Sequence, residues 1–186
     1  MKRICEFFFL ASFLGTGIAQ ADCASMWVTR NMVFDQAGYC FGSTLGKSVF
    51  DNSDCTPGDV TLTAAERDFV EYTRDMEAEF ACEIDTSQTT LELDATDDWL
   101  RLEDLPYRDL TESGCIGWLG QTLPLRSAAN DRSPVIGQIL PGDMVVFAHI
   151  DIRGFSFVEA VREGARSDVG WVRIMISPKV CEALAG

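Results

Sequence analysis

The stretch TAAERDFVEYTRDMEAEFACEIDTSQTTLEL, residues 63–93, holds the change of pattern that decides the fold. Its first part is helical: Thr63 and Glu66 have capping-box spacing, and Leu62, Ala65, Phe69, Tyr72, Met76 and Phe80 follow at steps of three and four. Arg67, Asp68, Glu71, Arg74, Asp75 and Glu77 cover the other face, the mixed-sign pattern of a solvated helix surface. Polar Asp85-Thr86-Ser87-Gln88 interrupts this period, and beyond it short apolar runs are punctuated by Gly and Pro. The expected fold class is therefore α+β, a small helical domain over residues 22–86 followed by a β domain over residues 87–186.

Upstream, Asp22 is placed to N-cap a helix through Cys23, Met26, Trp27, Val33, Phe34 and Ala37, ending at Gly38, which suits a left-handed helix terminus. The two helices are separated by a Gly-containing stretch and by polar Asp51-Asn52-Ser53-Asp54-Cys55-Thr56-Pro57-Gly58-Asp59. Alternate positions from Asp51 give Asp, Ser and Cys, which is not the ligand series of a calcium loop. Gly46-Lys47-Ser48 is no phosphate loop, because Phe41 stands where the upstream glycine belongs. Downstream, strands are expected at 89–93, 99–102, 116–125, 135–139, 144–150, 155–161 and 170–174, a spacing that favours a small barrel or sandwich.

Residues 1–21 are read as a cleaved secretory signal. Lys2 and Arg3 precede an apolar run from Phe7 to Leu14, and Ala19-Gln20-Ala21 supplies small residues at the cleavage positions. Asp22 before Cys23 argues against a lipoprotein, and no later segment has the apolar length of a membrane span. Six cysteines then remain, an even number that points to three disulfides in an oxidising compartment. Sequence allows fifteen pairings of six cysteines. Cys40 with Cys55 is favoured by the turn-prone residues between them, and Cys23 with Cys82 and Cys115 with Cys181 would bracket the two halves. Metal ligation is disfavoured, because His149 is the only histidine and no Cys-x-x-Cys occurs, and no cofactor is expected.

The 186 residues include 29 acidic and 15 basic side chains, a formal charge of -14 that disfavours nucleic acid and anionic lipid as partners. With residues 1–21 removed, 28 acidic and 13 basic side chains leave -15.

Leu123-Pro124-Leu125-Arg126-Ser127, Val135-Ile136-Gly137, Pro141-Gly142-Asp143 and Gly170-Trp171-Val172 occur in the order found in bacterial SH3-like domains, so residues of about 120–178 resemble that family. Phe155 or Phe157 stands where many relatives have a middle-strand Trp. In the first half, Arg30-Asn31, Phe34, Gly38-Tyr39 and Phe41 resemble the YARHG domain of bacterial envelope proteins, with Asp35-Gln36-Ala37 replacing its Ala-Arg-His. The whole layout is similar to a family of exported alphaproteobacterial proteins, domain of unknown function 4453.

These resemblances imply a periplasmic, non-catalytic protein that binds a cell-envelope partner, either a cell-wall peptide or an envelope protein. Trp118, Phe155 and Trp171 are the expected apolar contacts, with Arg126 and Arg153 reading carboxylates. Taken singly, each suits a structural role better than a binding one: Trp118 and Trp171 are more often core or cystine-packing residues, because aromatics dominate small cores, and Arg126 can simply salt-bridge a neighbouring acid. Wall peptidases of SH3-bearing type use a Cys and His pair, and here each mature cysteine has an expected disulfide partner. The adjacent acids Asp97 and Asp98, or Glu103 and Asp104, do not form the opposed pair of a glycosidase. The alternative is an acidic inhibitor or immunity protein directed at a basic wall-degrading enzyme.

Overall fold

The computed structural model describes residues 16–162 and 166–186, with side chains from residue 22 onward. Most of the expected leader, residues 1–15, lies outside the described residues, and positions 16–21 form the start of the first helix.

Helix α1 spans Thr16–Gln36 and ends in a Schellman turn: Gly38 has φ +81°, its N–H donates to Asp35 O at 2.8 Å, and Tyr39 N–H donates to Phe34 O at 2.9 Å. Asp22 is not the N-cap expected of it. It lies inside α1, and its carboxylate instead accepts from Arg108 Nη2 at 3.1 Å. Helix α2, Thr44–Val49, is a short helix in the inter-helix stretch that the sequence pattern did not show, capped by the Ser43 hydroxyl. Helix α3, Ala64–Glu79, carries the expected capping box, with Glu66 N–H donating to Thr63 Oγ1 and Thr63 N–H donating to Glu66 Oε2.

The expected strands at 89–93 and 99–102 are absent. Leu93 N–H folds back to Leu91 O, Ala95 adopts φ +54°, and the short helix α4, Thr96–Trp99, follows. Leu91, Leu93 and Leu100 pack on the core without a strand partner, so their apolarity serves packing and not pairing.

Seven antiparallel strands follow: β1 Arg108–Trp118, β2 Leu123–Arg126, β3 Val135–Ile139, β4 Met144–His149, β5 Ser156–Val161, β6 Asp168–Val172 and β7 Cys181–Ala185. The expected strand at 116–125 is split between β1 and β2. At the break, a Cβ on Gly120 would lie 2.3 Å from the Trp118 indole, so the chain turns only with glycine there. The sheet order is β3-β2-β6-β5-β4-β1-β7, and no pairing joins its ends. The fold is α+β with an open sheet, not a closed barrel.

Alternating residues of β5 feed two cores. Phe157 joins Phe155, Val169 and Trp171 beneath Trp27, Val28 and Trp99 of the helical layer. Val158 and Ala160 point the other way, into a cluster that joins Leu125 and Ile139 near one end of the sheet to Cys115, Trp118 and Cys181 near the other. The sheet thus curls around this second core without closing. The helices and the sheet share the first core, since α1, α2 and α4 all contribute to it.

Disulfides join Cys23 to Cys82, Cys40 to Cys55 and Cys115 to Cys181. The first ties α1 to the segment after α3, and the last lies inside the curl of the sheet.

Candidate binding site

The aromatic residues expected to be exposed contacts are core residues. Trp171 is 0% exposed, Phe155 1% and Trp118 4%. Their burial follows from the two cores: Phe155 and Trp171 sit under the helices, whereas Trp118 packs beside the Cys115–Cys181 disulfide on the opposite side of the sheet. Each indole N–H is already used, that of Trp171 by Asp104 O and that of Trp118 by Gln121 O, both at 2.8 Å. Arg126 donates to Ser133 O at 2.8 Å, and Arg153, in the turn before Phe155, is ion-paired with Asp104. The five residues do not converge on one groove.

Of the acids weighed for catalysis, Asp97 is exposed and the other three are committed elsewhere. Asp98 is buried between Arg101 and Arg166, and burial raises its carboxyl above the ordinary value despite the nearby Arg166 charge. Glu103 accepts from the Ser127 hydroxyl, and Asp104 accepts from Ala129 N–H. His149 lies on β4 against Phe157 and Trp99, where burial and the Arg108 charge push it down to about 3 and keep the ring neutral. On the neighbouring strand, burial pushes the Glu159 carboxyl up to about 7, with the Asp22 carboxylate adding to the effect.

A different set of residues does converge. A cavity of about 470 Å³ opens beside α1, lined by Arg30, Asn31 and Phe34 together with Tyr39, Asp59 and Arg74. Arg30, Asn31 and Phe34 share this side of α1 by helical spacing. The Schellman turn brings Tyr39 back edge-on to Phe34, at 6.0 Å between ring centroids, and leaves its side chain 39% exposed. Beyond it, Tyr39 leans on Phe41, which stacks on Phe50 at 4.5 Å, so the aromatic wall is anchored in the core.

The opposite wall is a clasped loop. The Cys40–Cys55 disulfide fixes its base, and the Asn52 side chain bonds both Phe41 N–H and Phe41 O as a strand partner would. Thr56 N–H donates to Gly38 O, which delivers Asp59 and Val60 to the cavity. From α3, Glu77 holds Arg30 Nε at 3.0 Å from both carboxylate oxygens, while Arg74, one turn earlier, makes no ion pair among the described residues. The cavity therefore joins an apolar aromatic wall to two guanidinium groups and one exposed carboxylate. Sequence reasoning placed Arg30, Asn31, Phe34 and Tyr39 in a family motif but gave them no role, and only tertiary folding adds Asp59 and Arg74.

Among the described residues, no group of three or more His, Cys, Asp or Glu side chains is placed to hold a metal. No described helix is long and apolar enough to cross a membrane. The three disulfides indicate an oxidising, extracytoplasmic environment.

Comparison with protein families finds the YARHG domain over residues 14–78, the region that supplies the α1 and Tyr39 side of the cavity. No curated protein and no solved structure matches the chain. A second match, to Domain of unknown function (DUF4453), covers residues 81–186, more than half of the chain, and it is to this family that the protein belongs.

Proposed function

We propose that the protein is a non-catalytic periplasmic binding protein, exported through a cleaved signal peptide, which recognises a cell-envelope partner through the cavity beside α1. One observation carries this reading: four residues of the YARHG-like motif line the same cavity as Arg74, which has no ion pair among the described residues. The chemistry suits a ligand bearing both a carboxylate and an ammonium group, as cell-wall peptides do. Arg74 and the outer nitrogens of Arg30 would take the carboxylate, Asp59 the ammonium, and Phe34 and Tyr39 the apolar part. The SH3-like reading of residues of about 120–178 belongs to this proposal as well. It is supported by the β4-β5-β6 meander and by the pairing of β2 with both β3 and β6, although the curl stays open between β3 and β4.

A second reading, an acidic inhibitor of a basic wall-degrading enzyme, is favoured by another surface. A groove of about 640 Å³ between β1, β4 and the C-terminal residues is rimmed by Asp109 and Asp151, contains the exposed Ile150 and Leu184, and has no Lys or Arg in its lining.

Oxidised mature protein should co-sediment with purified sacculi and bind soluble wall peptides. Arg74→Glu should weaken both at least tenfold while leaving the melting temperature within a degree or two. Wild-type binding that Arg74→Glu leaves intact would refute the cavity. Failure to bind wall material, together with salt-sensitive capture of a basic muramidase, would establish the inhibitor reading.

A further inference from the structure

Three buried side-chain nitrogens among the described residues have no hydrogen-bond partner: Trp99 Nε1, Arg108 Nε and His149 Nδ1. Leaving such groups unsatisfied is costly, and native proteins rarely do so without a compensating group. All three residues line one internal cavity, of about 10 Å³, where α1 and α3 meet β1 and β4. Such a volume accepts one water and nothing larger. Among the other lining residues are Thr29 and Thr73, whose hydroxyl hydrogens are used by Ser25 O and Phe69 O at 2.9 and 2.8 Å, leaving acceptor lone pairs.

We infer that this cavity is a binding site for a single structural water. The donors and acceptors match the valence of one water molecule. Trp99 and Arg108 can only donate, so the water oxygen accepts from both. Its two hydrogens then go to His149 Nδ1 and to a threonine hydroxyl. A cation is excluded by the two N–H donors. An anion has no charge to neutralise, because Arg108 is already matched by the Asp22 and Glu112 carboxylates at 3.1 and 3.3 Å. The arrangement also fixes the histidine: with Nδ1 accepting, the ring proton resides on Nε2. His149 lines the 640 Å³ groove as well as this cavity, so the bound water sets which tautomer forms that groove's wall.

A crystal structure of the oxidised mature protein near 1.5 Å, with a second data set from crystals soaked in sodium bromide, tests the site. The expected result is one isolated peak within hydrogen-bond distance of the three nitrogens and no anomalous signal. An anomalous peak there would replace water by a halide and overturn the inference. So would an empty cavity, or side chains turned so that the three nitrogens pair with protein groups. In solution, nitrogen-15 shifts of the His149 ring should report a proton on Nε2, and the Trp99 indole proton should show a cross-relaxation peak to a long-lived water. A proton on Nδ1, or no such peak, counts against the site independently of crystallisation.

Discussion

The two faces of the sheet are filled by opposite strategies. The curled face holds Leu125, Ile139, Val145, Val158 and Ala160 around a disulfide, and its stability rests on apolar burial and a covalent link. The helix-facing side adds to its aromatic core a set of polar groups: the buried Arg108 and the half-buried His149 and Glu159, with Asp22 reaching in from α1. Arg108 is the hub. It donates to Ala148 O and Asp109 O, faces Asp22 and Glu112, and lies 5.1 Å from the Phe80 ring centroid. The two groups whose titration is moved furthest, His149 and Glu159, thus lie on the face that locks helices to sheet.

The largest effect should come from breaking the hub. Arg108→Met should destabilise the protein by about 3–5 kcal/mol in urea unfolding, because Asp22 and Glu159 lose their nearest buried cation. Removing that charge also raises Glu159 further and lets His149 return toward its ordinary value, so the pH profile should change shape and not merely fall.

Leu125→Ala, on the curled face, should cost about 2–4 kcal/mol through cavity formation. Its curve of melting temperature against pH should run parallel to that of the wild type. A change of slope would erase the distinction between the faces.

The smallest and most specific effect belongs to Glu159→Gln. Glu159 is raised from 4.5 to about 7, so its contribution is fully present below pH 4.5 and is lost as pH rises through 7. His149 is lowered from 6.5 to about 3, so its contribution is present above pH 6.5 and is lost as pH falls toward 3. Glu159→Gln should remove the alkaline decline between pH 4.5 and 7 and leave the acid decline in place. Thermal melts at half-unit pH steps would show whether the two arms separate in this way.

How much of this was legible in the sequence depends on whether the signal was local. Thr63 and Glu66 announce α3 because a capping box is completed within four residues. β1 was hidden, because its first half, Arg108 to Ser113, is polar and mostly exposed, and its membership in the sheet comes from pairing with β4. β7 was hidden for a similar reason: four of its five residues are exposed, and it is held by β1 and by the Cys115–Cys181 link. Asp22 looked like a cap because the pattern cannot say that the helix has already begun six residues earlier.

The site shows the same division. Trp118, Phe155 and Trp171 were visible as unusual residues, yet sequence does not say which side of a curled sheet an aromatic faces. Arg30 to Tyr39 were visible as a motif, but Arg74 and Asp59 join them only through α3 packing and the clasped loop.

That loop has a consequence for when the protein can work. Tyr39 and Asp59 lie just outside the two ends of the Cys40–Cys55 link, so the distance between the walls of the cavity is set by a bond that thiol-reducing surroundings would not sustain. Newly made chains in the cytosol would carry an unclasped loop and an unformed cavity. Under the proposed binding role, ligand capture would begin only once this link has formed, with oxidation acting as the arming step, and a chain kept in reducing surroundings would stay inert.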